Sequence, residues 1–437
     1  MRTPKFPVHI GENDKMKHAA APLLKVGIVS DIQALPSEHD WGFHNFRNAL
    51  KLFREKGIDL LINAGDLAEG GDPATYDLYW RLIAAYFPEK PPAHMACEGN
   101  HDCNGAKDFP EAFARVCKGL RRACVNPEHR VIGGFDFITF ATCDRLHYAE
   151  SELPALEEEL RKAAARDPRK PVFVITHLPP ARTMTGSHDA AGSAGLRRVF
   201  DKFPQVISLS GHTHVPLGDE RAVWQGGFTA VETSTLAYGC FTEESCFNTV
   251  NGILPFAREV TEALYMELFP DRAELHRYNT TENREVGPVW IIDTPYDAAT
   301  ARYTPDRGGR AQAPGFPPEA EVLLRYDYGY AYIIFDRAAA GDPALFYDVE
   351  IAHAEEETKE FGEARVYRYV SDFYRFECNR KDKIYLKLPG TLRENTLCRF
   401  RVYPVEAFGK RGAPLEMTCL LWPGYKFKDG APVCPQE

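Results

Sequence analysis

The sequence predicts two domains of different class, a layered α/β domain followed by an all-β sandwich. Three observations carry that prediction. Short apolar runs alternate with amphipathic stretches up to about residue 203, a Pro-, Gly-, Arg- and Ala-rich stretch fills 295–318, and short aromatic and β-branched segments follow it.

The first 22 residues form a polar N-terminal arm with Pro4, Pro7, Glu12 and Asp14. The apolar runs 24–29, 60–63, 135–142, 172–176 and 206–209 are rich in Val, Ile, Leu or Phe, as strands buried on both faces are. Between them 44–53, 76–86, 152–165 and 194–203 have helical character, and the alternation is the βαβ rhythm of helices packed on a sheet. Segments 263–269 and 273–278, separated by Pro270-Asp271-Arg272, read as a hairpin closing the domain, with one more strand at 289–292. The α/β domain is therefore expected over 23–294, with 295–318 as linker. Over 319–437 the segments 322–324, 330–335, 347–351, 366–369, 373–376, 384–388 and 400–405 recur at the spacing of a β-sandwich. Ile384, Leu386 and Leu388 alternate with polar neighbours, as in a half-buried strand.

A chain of 437 residues with 44% hydrophobic and 26% charged residues has the composition of a soluble globular protein of two or three domains. The net charge of −10 argues against a nucleic-acid scaffold or a membrane-surface binder. No apolar run approaches the roughly 20 residues that span a bilayer. The arm lacks the apolar segment of a signal peptide, so the expected compartment is the cytoplasm, or secretion if a leader has been removed. The 11 cysteines are odd in number and form no C-x-x-C pair, which favours buried small hydrophobes over a disulfide framework. Nothing in the sequence specifies an oligomeric state.

Five polar clusters fall where strands are expected to end: Ser30-Asp31-Ile32-Gln33, Gly65-Asp66, Gly99-Asn100-His101-Asp102, Thr176-His177 and Gly211-His212-Thr213-His214. A single His at a strand end is ordinarily a satisfied core histidine, and a single Asp a turn former or helix cap. Five such clusters in one domain are another matter, because open α/β sheets bind ligands beyond the carboxyl ends of their strands. What converges there is carboxylate, imidazole and amide oxygen without thiolate, a set suited to Mn²⁺, Fe²⁺, Zn²⁺ or Mg²⁺.

The order of these motifs resembles the calcineurin-like metallophosphoesterases over roughly 23–292, most specifically in Gly-Asn-His-Asp and Gly-His-x-His. The resemblance implies a metallophosphoesterase β-sandwich flanked by helices and two divalent metal ions. Asp66 would bridge them, with Asp31, Gln33 and His214 on the first and Asn100, His177 and His212 on the second. Such a pair acidifies a shared water and neutralises phosphoryl charge. His101 would donate to phosphate and protonate the leaving oxygen, with Asp102 holding its imidazole. Two positions depart from the family. Gln33 stands where His is more usual, which weakens the first site and favours hard ions, Mn²⁺ above all. It is similar to the branch that hydrolyses ADP-ribose and CDP-alcohols. Glu69 stands where purple acid phosphatases carry a Tyr ligand, so no coloured ferric–tyrosinate centre is expected.

Trp41 and His44 in the loop after the first cluster could stack a nucleobase or begin an ordinary helix face, and Arg145 and Arg182 could meet phosphate or serve as surface charge. The stretch from Leu388 to Pro414 resembles the end of a fibronectin type III domain within the immunoglobulin-like class, with Cys398 in place of the corner Tyr. The expected activity is metal-dependent hydrolysis of a small-molecule or nucleotide-like phosphodiester or phosphoanhydride. A phosphomonoesterase, including a protein phosphatase, and a non-catalytic binding protein with a relic site are the alternatives.

Overall fold

In the computed structural model, residues 21–142, 146–241, 245–327, 330–390, 392 and 395–421 are described. The chain divides into two compact units, Met1–Phe241 with Arg258–Pro305, and Thr242–Ala257 with Asp306–Glu437. The division thus falls inside the stretch expected as linker, and part of the expected α/β domain belongs to the second unit.

The elements of the first unit run in chain order: β1 (Leu24–Val29), α1 (Trp41–Lys56), β2 (Leu60–Asn63), α2 (Pro73–Tyr86), β3 (Ala93–Ala96), α3 (Phe109–Gly119), β4 (Glu128–Ile132), β5 (Phe135–Thr139), α4 (Leu153–Arg166), β6 (Val172–Thr176), α5 (Ala194–Phe200), β7 (Val206–Ser210), β8 (Val223–Gln225), β9 (Thr229–Glu232), β10 (Glu262–Leu268), β11 (Arg272–Asn279), β12 (Arg284–Glu285) and β13 (Trp290–Asp293). One sheet has the order β12-β11-β10-β1-β2-β3, with β13 on β11, and the other β4-β5-β6-β7-β9-β8.

Each sheet buries both faces, and the alternation of side chains shows how. Val29, Leu61 and Ala96 lie under α1 and α2, packed with Phe43, Phe46, Leu50 and Phe53 of α1. Their neighbours Val26, Ile28, Ile62 and Met95 point the other way, yet none is more than 1% exposed. In the second sheet Ile138, Val174 and Val206 pack under α4 and α5, while Phe137, Phe173, Ile175 and Leu209 are buried on the opposite face. The two uncovered faces close on each other, giving a β-sandwich flanked by helices as expected.

Helix α1 starts three residues before its expected onset because the Asp40 side chain caps the Gly42 and Phe43 amides, and it stops at Gly57 in a left-handed conformation. The apolar runs did not include β3, and no helix was expected at α3. The first is four residues long with a half-buried His94, and the second presents only a narrow apolar face of Ala112, Val116 and Cys117.

The second unit contains β14 (Val322–Asp327), β15 (Tyr330–Asp336), β16 (Phe346–His353), β17 (Arg365–Val370), β18 (Lys383–Lys387), β19 (Leu397–Val405) and β20 (Leu415–Leu420). They form sheets of order β14-β15-β18 and β17-β16-β19-β20, sharing a core of Ile333, Phe335, Tyr347, Val349, Ile384, Leu386, Phe400 and Val402. The strand expected at 373–376 is instead a turn: Tyr374 is buried and gives its hydroxyl to the Pro255 carbonyl, so the aromatics there pack rather than pair. Residues 247–248 line the edge of β17, with the Phe247 amide on Arg368 O at 2.6 Å and the Asn248 side chain exchanging two hydrogen bonds with Val370 at 2.9 Å. An edge strand is thereby covered. Cys97, Cys103, Cys117, Cys240 and Cys398 are free and buried, as composition suggested, and Cys246 is buried as well. Among the described residues no helix is long and apolar enough to cross a membrane.

The packing makes a stability prediction. Phe53 is fully buried, its ring 2.7 Å from where a Cβ on Gly27 would sit. Phe53→Ala should cost about 3–5 kcal/mol in urea unfolding of the intact chain.

Candidate metal centre

The site grows from the carboxyl ends of five strands, three in one sheet and two in the other. Parallel pairing of β1, β2 and β3 and of β6 and β7 brings the loops carrying Asp31, Asp66, Asn100, His177 and His212 to one edge of the sandwich. There the two sheets are joined by side chains. His177 Nε2 lies 3.2 Å from Asp66 Oδ2 and 3.0 Å from Asn100 Oδ1, and His212 Nδ1 lies 2.9 Å from the same amide oxygen. His214 Nε2 lies 3.0 Å from Asp31 Oδ1 and 3.3 Å from Gln33 Nε2.

The backbone is bent to make this possible. Asp31, Gln33, Asp66, His212 and His214 all have positive φ, between 46° and 73°. A non-glycine residue in that region costs roughly 1 kcal/mol or more, and here the cost falls on the very residues that converge. The glycines of the motifs have a steric reason. A Cβ at Gly99 would sit 2.1 Å from Asp66 Oδ1, at Gly65 2.5 Å from His177 Nδ1, and at Gly211 1.9 Å from Ser30 Oγ.

The imidazoles are oriented from behind. His177 Nδ1 donates to Ala64 O at 3.0 Å and His214 Nδ1 to Tyr238 O at 2.7 Å, so both Nε2 atoms face the carboxylates. Asp31, Asp66 and His177 have ligand atoms mutually within 4.8 Å. Asp31 Oδ1, though 3.0 Å from His214, has no well-directed hydrogen bond and is fully buried. A cluster of inward-facing oxygen and nitrogen donors with an orphaned buried carboxylate oxygen fits divalent cations.

Electrostatics agree. Burial opposes the charge on Asp31 and Asp66, yet His214 beside the first and His177 beside the second hold both carboxyls below their ordinary range. Burial also works against protonated His177, but Asp66 lifts it to about 10, and His214 is raised by Asp31 in the same way. His212 is lowered to about 4 by burial and by His177. In the metal-free chain, a proton on His177 thus supplies positive charge that cations would replace.

The expectation that Asp102 holds the His101 imidazole is corrected. Asp102 is buried and its oxygens accept from the amides of Leu67 (3.2 Å), Ala68 (2.8 Å) and Gly99 (3.0 Å) and from Tyr76 Oη (3.0 Å). It ties the Asp66 loop to the Gly99 loop. Burial, then the charge of Asp66, push its carboxyl up to about 6. The group against His101 Nδ1 is Glu69 Oε2, at 2.6 Å, while the His101 amide donates to Asp66 Oδ1 at 2.7 Å.

Other expected residues lie apart from the cluster. Trp41 stacks with His44 at 5.7 Å under Arg258, and Arg182 is exposed and paired with Asp189. Among the described residues no hydrogen bond or ion pair joins these to the metal-facing side chains. Arg145 lies outside the described residues. Sequence reasoning missed Tyr238 and Ala64, which act through carbonyl groups and leave no signature, and gave Glu69 no part in orienting His101.

Residues 24–216, a span that includes every residue of the cluster, match the family model described as calcineurin-like phosphoesterase. A 3′,5′-cyclic-nucleotide phosphodiesterase of Nostoc sp. is 28% identical over 167 residues, which is 36% of this chain and 56% of that protein. The chain therefore spans little more than half the length of that curated relative. Among solved structures, a dimetal phosphatase from Danio rerio is similar at 12% identity and TM-score 0.45, covering 62% of this chain and 99% of that one. A purple acid phosphatase from yellow lupin is similar at 15% identity and TM-score 0.46, covering 62% and 53%.

Two outcomes follow. Gly99→Ala should push the Asp66 carboxylate aside and lower the Mn²⁺ bound per chain in calorimetric titration, with the far-ultraviolet circular dichroism unchanged. Glu262 is fully buried, accepts from Leu217 N at 2.5 Å and Ser234 Oγ at 3.0 Å, and burial pushes its carboxyl from 4.5 up to about 7. A folded-state pKa above the unfolded one stabilises fully below the unfolded value and is lost as pH rises through the folded one, here about 3 kcal/mol between roughly pH 4.5 and 7. Glu262→Gln should flatten that part of the stability–pH curve.

Proposed function

We propose, from the match of residues 24–216 to the calcineurin-like phosphoesterase family model, that this chain is a dinuclear metal-dependent phosphoesterase acting on a small nucleotide-like phosphodiester or phosphoanhydride. The observation that carries the reading is the convergence of Asp31, Asp66, Asn100, His177, His212 and His214 on one edge of the sandwich. Asp31, Gln33 and His214 would hold one ion, Asn100, His177 and His212 the other, and Asp66 both. When bound, the ions supply an acidified water as nucleophile and positive charge for the phosphoryl oxygens.

The chain's own groups do the rest. His101 hydrogen-bonds a phosphoryl oxygen and passes a proton to the leaving oxygen, with Glu69 standing against the Nδ1 side of the ring so that Nε2 is left to face the substrate. Asp102 acts on the backbone of the two loops and does not touch the substrate. Gln33 offers its Nε2 to His214, so its amide must turn to present an oxygen. This supports a weaker first site and Mn²⁺ as its ion. The Nostoc relative acts, by its name, on cyclic nucleotides, and Gln33 points the same way, toward nucleotide-like diesters. The seven-strand sandwich of the second unit supports a fibronectin type III-like module without chemistry of its own.

The test is to strip metal, restore Mn²⁺, and assay a cyclic nucleotide, an aryl phosphodiester, an aryl monoester, ADP-ribose and a CDP-alcohol. Turnover of a diester well above that of Asn100→Ala is expected. Turnover equal to that variant on every substrate overturns the enzyme reading, and turnover of the monoester alone overturns the diester preference. His101→Asn should cost about 10²–10⁴ in kcat. Glu69→Gln should slow alkyl leaving groups more than aryl ones, because only the former need the proton, whereas Asp102→Asn should chiefly lower stability.

A further inference from the structure

We propose that the face of β10 and β11 carries a further metal site, separate from the centre described above, in which Glu267, Glu274 and His276 hold a divalent transition ion of the Zn²⁺ class. All three residues lie beyond the span that matches the family model. One ligand atom from each lies within 4.8 Å of the others.

The pairing of the strands brings them together. Glu267 and Glu274 are direct cross-strand partners, and His276, two residues further along β11, stands on the same face opposite Tyr265. Like charges directly opposite each other destabilise a sheet unless something neutralises them. The neighbouring cations do this only in part. Arg272 Nε reaches Glu274 Oε1 at 2.6 Å. Lys25, next to Glu267 on β1, turns its ammonium to Lys56 O at 3.4 Å, and the Lys56 ammonium lies over the rings of Tyr265 and Tyr278.

Each ligand is held by its far atom, leaving the near one free to coordinate. Glu267 Oε1 accepts from Tyr265 Oη at 2.8 Å, and Glu274 Oε1 is the oxygen taken by Arg272. His276 Nδ1 lies 3.1 Å from Glu285 Oε1, which also accepts from Tyr278 Oη at 3.1 Å. The Nδ1 proton is thus committed to a carboxylate, and Nε2 presents its lone pair to the cluster. That Nε2 is buried, has no hydrogen-bond partner, and stands 3.6 Å from Glu267 Oε2, outside hydrogen-bond reach. A lone pair facing a carboxylate across that gap is repulsive when the gap is empty and favourable when a cation fills it. An imidazole with a carboxylate behind it is the usual second-sphere arrangement of a metal-bound histidine, and one nitrogen with two carboxylate oxygens suits Zn²⁺ and its neighbours over Mg²⁺ or Ca²⁺. The side chains of Glu267 and His276 are 21% and 18% exposed, so water can complete the coordination.

The full-length protein, saturated with Mn²⁺, is titrated with Zn²⁺, dialysed and analysed for both metals, alongside His276→Gln and Glu274→Gln. The expected result is about one more Zn²⁺ per chain in the wild type than in either variant, with Mn²⁺-dependent hydrolysis unchanged. Equal Zn²⁺ content in all three overturns the site. Should the variants fail to fold, the wild type labelled with ¹⁵N-histidine decides: a Zn²⁺-dependent shift of the His276 Nε2 resonance supports the site, and an unmoved resonance overturns it.

Discussion

The structure of the first unit depends on one electrostatic demand. Two carboxylates, Asp31 and Asp66, are buried to 1% exposure or less, and among the described residues no Lys or Arg pairs with either. Charge buried in that way is tolerable only beside compensating charge held at short range. Three imidazoles and an amide oxygen are gathered to meet that demand, and the gathering requires loops from both sheets to reach the same edge. The sandwich serves this end: loops from the parallel strand ends of both sheets meet where the charges lie.

That demand explains features that otherwise look like defects. Five ligand-type residues sit in left-handed backbone conformations, and three glycines leave no room for a Cβ against Asp66, His177 or Ser30. The strain persists because the surrounding strands over-determine it. Asp102 belongs to the same logic. Its carboxylate gathers three amide donors from two loops and the Tyr76 hydroxyl from α2, and fixes the distance between the segments that carry Asp66 and Asn100. The carboxylate that lies against the His101 ring is instead that of Glu69.

The second unit answers a different constraint, the open edge of a sheet. The segment around Phe247 and Asn248 satisfies the outward-facing groups of Arg368 and Val370, and the Phe247 ring packs edge-on to Tyr367 and Tyr369. A stretch that precedes β10 of the first unit in sequence is thereby part of the second, which hydrophobic patterning cannot reveal, because its apolar residues follow neither period.

The sequence by itself determined the class of each domain and picked out the side chains that converge at the strand ends. Strand periodicity is local, and Gly-Asp, Gly-Asn-His-Asp and Gly-His-x-His carry their own steric and coordination requirements. It did not determine partners. Asp102, next to His101 in sequence, turns away to the amides of Leu67, Ala68 and Gly99, while Glu69, 32 residues earlier, is the carboxylate that lies against the ring. The carbonyl groups of Ala64 and Tyr238, which orient two of the imidazoles, are invisible in any residue pattern because every residue has one. The pairing of Glu267 with Glu274 beside His276 likewise depends on strand register, which a single hairpin turn sets and only the folded sheet displays.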